Sequence, residues 1–168
     1  FTSNNTQPEE YRKACELNAI LNLDDITHIP YLAKHAKVGE LISFRYNPGA
    51  LKDGNAIIGE PEEAKYGFKR EQLFEGYQIV RDMGVKRFGL HTMVASNELD
   101  NDYFIDTAEL LFELIIELSK ELNITFEFIN LGGGFGIPYK PDEAPINIEY
   151  ISKGIERLYN SIIKSTQL

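Results

Sequence analysis

The sequence predicts a parallel α/β fold, and three observations carry that prediction. Short apolar runs of strand length alternate four times with segments whose apolar residues recur every three or four positions. No internal repeat, low-complexity tract or Pro/Ser linker interrupts the alternation. The length, 168 residues, is that of one domain.

Taken in order, Thr6-Gln7-Pro8-Glu9 has the form of a capping box and predicts a helix running to about Leu17. Residues 19–23 (Ala-Ile-Leu-Asn-Leu) read as a buried strand, and Asp25 as the cap of a second helix through Ala36. Leu41 to Tyr46 is the next strand, broken by Asn47-Pro48-Gly49. A long loop rich in Gly and Asp runs from Asn47 to about Lys69, and loops of that length are usually functional or disordered. A helix carrying Leu73, Phe74, Tyr77 and Val80 ends at Gly84, followed by a strand from Arg87 to Ala95. Asn101 to Leu122 is a long helix with an apolar stripe of Phe104, Ala108, Leu111, Ile115 and Leu118. Phe126 to Leu131 is the fourth strand, and Asn147 to Ser165 the closing helix.

Strand then helix, repeated, gives either an open doubly wound sheet or an arc of a (β/α)₈ barrel. A whole barrel needs about 250 residues, so this length favours about half of one. In both architectures ligands gather at the carboxyl ends of the strands.

Composition narrows the partners. The charge is 17 − 26 = −9 with no basic stripe, which argues against nucleic acid, because phosphate neutralisation needs clustered Lys and Arg. No apolar run has the length of a membrane span, and Phe1 to Asn5 does not resemble a signal peptide. A lone cysteine, Cys15, fits a reducing compartment, so a cytoplasmic protein is expected. A first residue of Phe leads us to expect a piece of something longer.

At the strand ends the strongest signal is Asn130-Leu131-Gly132-Gly133-Gly134-Phe135-Gly136. Consecutive glycines let backbone N–H groups approach an anion, and phosphate is the natural guest; the alternative is a tight turn and nothing more. The run is neither a Walker A loop nor a dinucleotide-binding fingerprint. Gly89 to Asn97 places His91, Met93 and Ala95 on one face, with Ser96 where the strand opens. His91 has two readings, a hydrogen-bonded barrel residue or a neighbour of a cofactor ring. Arg45 lies on a strand too apolar to solvate it, so it needs a carboxylate or an anionic ligand. No cluster has zinc spacing, and no metal is expected.

Together, Ser43-Phe44-Arg45-Tyr46-Asn47-Pro48-Gly49, Ala64-Lys65-Tyr66-Gly67-Phe68, Gly89-Leu90-His91 through Ser96, and Leu131-Gly132-Gly133-Gly134-Phe135-Gly136-Ile137-Pro138-Tyr139 resemble the R-x-N-P, K-F-G, G-x-H-x-H-x-G-S and GGG-x-G-I-x-Y blocks of the diaminopimelate decarboxylase family. The resemblance implies a partial barrel of the alanine-racemase-like type and pyridoxal 5′-phosphate (PLP) as cofactor. It implies that Gly132, Gly133, Gly134 and Ser96 hold the cofactor phosphate, Gly134 most directly, with Arg45 and His91 near the cofactor and Lys65 toward a dimer interface.

Two positions depart from the pattern. Met93 stands where relatives carry a ring-stacking histidine, and Ala95 where they carry glycine. A thioether packs well on an aromatic ring, so Met93 is expected to face the cofactor. The resemblance further implies that residues 1–168 are an internal part of the barrel domain. The cofactor-carrying lysine then lies upstream, and the pyridine-nitrogen glutamate and a C-terminal β domain with the catalytic cysteine lie downstream. No catalytic residue is therefore assigned within the chain, which is expected to be inactive alone and to self-associate. The implied activity of the parent is decarboxylation of meso-diaminopimelate to L-lysine by a homodimer. The alternatives are decarboxylation of carboxynorspermidine, ornithine or arginine, a non-catalytic PLP carrier, and an anion-binding module without a cofactor.

Overall fold

A computed structural model describes residues 1–49 and 66–166. The elements are α1 (Pro8–Glu16), β1 (Leu21–Leu23), α2 (His28–His35), β2 (Leu41–Tyr46), α3 (Arg70–Asp82), β3 (Arg87–Thr92), α4 (Asn101–Leu122), β4 (Phe126–Asn130) and α5 (Ile148–Leu158). A π-helical turn, Tyr159–Ile163, and a 3₁₀ turn, Lys164–Thr166, extend α5.

The four strands are all parallel and lie side by side in the order β1-β2-β3-β4. A doubly wound sheet reverses direction at a switch point, so its strand order departs from chain order. The unbroken sequential order is that of a barrel arc and decides between the two architectures.

Alternation along the strands separates two faces. Ile42, Phe44 and Tyr46 of β2 and Phe88, Leu90 and Thr92 of β3 are buried beneath the helices. Phe44 stacks on Phe68 at 4.3 Å between ring centres and packs against Tyr77 of α3 at 4.4 Å, while the Tyr77 hydroxyl donates to the Gly89 carbonyl at 2.6 Å. The main apolar core is therefore the layer between sheet and helices. The opposite, concave face carries Asn22, Ser43, Arg45, Gly89 and His91, brought together by the pairings Asn22↔Ser43, Ser43↔Gly89 and Arg45↔His91.

Several boundaries move from their predicted positions. The cap of α1 is Gln7, whose N–H donates to Glu10 at 2.7 Å; the Thr6 hydroxyl donates instead to the Ser3 carbonyl. That shift puts Pro8 at the first helical position, where its missing N–H costs nothing. Asp25 does not cap α2, because its carboxylate accepts from the N–H and hydroxyl of Thr27 in a tight turn, so the helix starts at His28. The third strand ends at Thr92 rather than Ala95. Past Thr92 the chain leaves the sheet to run beside the glycine loop, and Asn97 takes a φ of +53°.

Candidate functional site at the carboxyl ends of the strands

Arg45 projects from β2 onto the concave face and forms an ion pair with Asp24, which follows β1. The Asp24 side chain is 3% exposed and that of Arg45 15%. Of the two predicted partners for Arg45, a carboxylate or an anionic ligand, the protein supplies the carboxylate. The Gly67 N–H donates to the Asp24 carbonyl at 3.0 Å and the Phe68 N–H to the Arg45 carbonyl at 2.7 Å, which clamps residues 66–68 over this pair. The clamp lays the Tyr66 ring 4.8 Å from the guanidinium carbon, within cation–π range.

Thr2, Ser3, Asn4, Arg45, Tyr66 and Met93 line a cavity of about 420 Å³, within the range of small-molecule sites. Met93 is 47% exposed and belongs to this lining, not to the helical layer. Lys65 lies outside the described residues.

Deeper on the concave face His91 meets Asn22, with Nδ1 and Nδ2 3.2 Å apart. Burial first, and then the neighbouring Arg45 charge, lower the His91 pKa from 6.5 to about 4, with Asp24 acting in the opposite sense. The imidazole is accordingly neutral at physiological pH.

The glycine loop packs on the segment that follows β3. A Cβ on Gly132 would come within 2.5 Å of the Thr92 carbonyl oxygen, and one on Gly134 within 2.2 Å of the Ala95 oxygen; φ is +82° and +84° respectively. Those two glycines are required by close backbone approach, as the turn alternative holds. Gly133 differs, since a Cβ there would meet nothing within 4 Å. The Gly132 N–H is taken by the Asn130 side chain at 2.9 Å. Among the described residues no acceptor is bonded to the Gly133 or Gly134 N–H. The Gly134 carbonyl accepts from the Glu98 N–H at 2.8 Å and the Asn97 side chain from the Ile137 N–H at 3.1 Å, so both ends of the loop are anchored. Two adjacent amides without acceptors among the described residues, Gly133 facing open space and Gly134 beside Ser96, fit a phosphate group. The fit belongs to Gly133 and Gly134, with Gly132 shaping the turn.

The arrangement brings Arg45, Met93 and His91 to one face, and the glycine loop beside Met93 and Ser96. Sequence reasoning assigned no site role to Asn22, Asp24, Tyr66 or Thr2 to Asn4. Thr2 to Asn4 reach the site because the chain's opening lies along β1, with Thr2 bridging to Asn22.

Amides fit for an anion at the carboxyl ends of a parallel barrel arc, next to a cavity of about 420 Å³, are the arrangement found in barrel domains that bind phosphate-bearing ligands. Residues 1–167 match the family described as "Pyridoxal-dependent decarboxylase, pyridoxal binding domain", and the chain belongs to that family, whose cofactor is pyridoxal phosphate. The diaminopimelate decarboxylase of Methanothermobacter thermautotrophicus is 32% identical over 161 residues, covering 95% of this chain and 37% of that protein. Protein TabA of Pseudomonas amygdali pv. tabaci is 29% identical over 157 residues, covering 94% and 37%. The M. jannaschii diaminopimelate decarboxylase, solved with L-lysine, superposes with a TM-score of 0.80 at 24% identity over 95% of this chain and 39% of that one. At that identity the likeness shows the fold. The chain spans less than two fifths of the length of these relatives. Among the described residues no helix is long and apolar enough to cross a membrane.

Proposed function

We propose that residues 1–168 form part of the PLP-binding barrel of a decarboxylase that converts meso-diaminopimelate to L-lysine, and that this part supplies the phosphate cradle and one wall of the cofactor pocket. The observation that carries the reading is the pair of amides, Gly133 and Gly134, with no acceptor among the described residues, beside Ser96 and Met93. Those amides and Ser96 would bind the phosphate, and Met93 would lie against the pyridine ring. Arg45, held by Asp24 and covered by Tyr66, would keep one positive charge beside the ring without moving toward it. Bound there, the cofactor supplies the electron sink that amino-acid decarboxylation needs.

The cofactor-carrying lysine, the catalytic cysteine and the β domain would come from elsewhere in the parent, which would act as a cytoplasmic homodimer. Support for diaminopimelate comes from the 32% identical relative of that name and from the Asn47-Pro48 and Ile137-Pro138-Tyr139 blocks.

Titrating the chain with PLP while following cofactor absorbance and ³¹P resonance tests the cradle. Saturable binding, weakened by Gly133→Ala with the backbone amide spectrum unchanged, is expected; no binding at millimolar PLP overturns it. The parent is then supplied with diaminopimelate, carboxynorspermidine, ornithine and arginine. Lysine and CO₂ from the first alone are expected, and turnover of another amine donor in its place overturns the substrate.

A further inference from the structure

The Asn22 side chain is engaged on three sides. The Ser43 hydroxyl, itself buried, donates to Oδ1 at 2.7 Å; Nδ2 faces Thr2 Oγ1 at 3.0 Å and His91 Nδ1 at 3.2 Å. A carboxamide has two N–H donors on one end and lone pairs alone on the other. With Oδ1 accepting from Ser43, both amide protons are spent, one on Thr2 and one on His91. The ring must then present its Nδ1 lone pair, and a neutral imidazole in that state carries its proton on Nε2. Among the described residues Nε2 has no hydrogen-bond partner.

We propose that Asn22 is a positioning residue that holds His91 in the neutral tautomer protonated on Nε2, so that the concave face offers one N–H donor beside Arg45 and no second positive charge. The use of that donor rests on the reading that this face holds the cofactor; the tautomer itself does not. The charged groups facing the ring are Arg45 on β2, which disfavours the imidazolium, and Asp24 after β1, which favours it but is already paired with Arg45. The neighbour on β4, Asn130, is uncharged. Burial and Arg45 together account for a titration near pH 4, well below working pH. A neutral donor at that place orients a group above it without releasing a proton to it.

The test uses the ¹⁵N-labelled chain without PLP and reads the His91 ring nitrogens by long-range ¹H–¹⁵N correlation. At pH 7 we expect a protonated-type Nε2 and a lone-pair-type Nδ1. Asn22→Asp places a carboxylate at Nδ1 and is expected to move the proton to Nδ1 and shift the titration midpoint upward toward 6.5 or beyond. Asn22→Ala is expected to populate both tautomers, and Ser43→Ala, acting from the far side of the amide, to do so partially. A wild-type ring protonated on Nδ1 means that Asn22 is turned about and overturns the proposal. An Asn22→Asp ring with unchanged tautomer and midpoint overturns it equally. PLP titration of the same samples reads separately, so loss of the tautomer and loss of the cofactor site are distinguishable.

Discussion

Single residues on the concave face carry opposite consequences for stability and for binding. Asp24 is almost wholly buried against Arg45, so Asp24→Asn leaves a mostly buried guanidinium without its counter-charge. Breaking such a pair from one side costs about 3 kcal/mol, and Asp24→Asn with Arg45→Met together should recover most of it. Urea denaturation of the two variants checks both expectations. The glycine loop gives a second contrast. Gly134→Ala forces a left-handed φ on alanine and a clash with the Ala95 carbonyl, a loss of about 2–3 kcal/mol, whereas Gly133→Ala should stay within about 0.5 kcal/mol of wild type. His91 supplies a pH dependence. Its folded pKa of about 4 lies below the ordinary 6.5, so the unfolded chain binds a proton that the native chain does not. That contribution is fully present above pH 6.5 and is lost as pH falls from 6.5 toward 4; His91→Gln should flatten the slope in that window, read from urea midpoints at stepped pH. The chemical need of Arg45 was legible in the sequence because a charge on an apolar strand demands a partner. The identity of the partner was not, since Asp24 lies 21 positions away and only strand register joins them.

Elements with an unbroken pattern and a local cap came out of the sequence as they stand. The bounds of β2 are as predicted, and α4 begins at Asn101 behind Asp100, whose carboxylate accepts from the Asp102 N–H at 2.9 Å. Asp100→Ala should cost about 1 kcal/mol and leave the circular-dichroism spectrum of the folded state unchanged. At the far end Asn123 closes α4 with a φ of +51°, a conformation asparagine tolerates. Where two polar residues compete for the same orphan amides, local pattern fails. Thr6 and Gln7 both suit a cap, and Asp25 serves a turn before it can serve a helix. The premature end of β3 has a different origin, because it depends on a glycine loop 40 residues downstream packing on its exit.

For the molecule as a whole, sequential strand order settles the architecture but leaves a sheet that is an arc. Among the described residues β4 pairs only with β3, so its outer edge presents unpaired amides and carbonyls, a template for another strand. Sedimentation velocity on the chain alone should show concentration-dependent self-association; a single monomer boundary at high concentration refutes it. Half of the architecture was legible, since alternation and length pointed to an arc. The concave polar network was not, because Asn22 and His91 are 69 residues apart and meet only when the arc curves.

Placing the apolar core on the convex side has a further result. Met93 sits at the rim of the cavity, half exposed, and contributes nothing to the layer that holds sheet to helices. A lineage can therefore exchange this side chain of the cavity wall without renegotiating the packing beneath it, and reshape the mouth of the arc while its foldability is preserved by a separate set of residues.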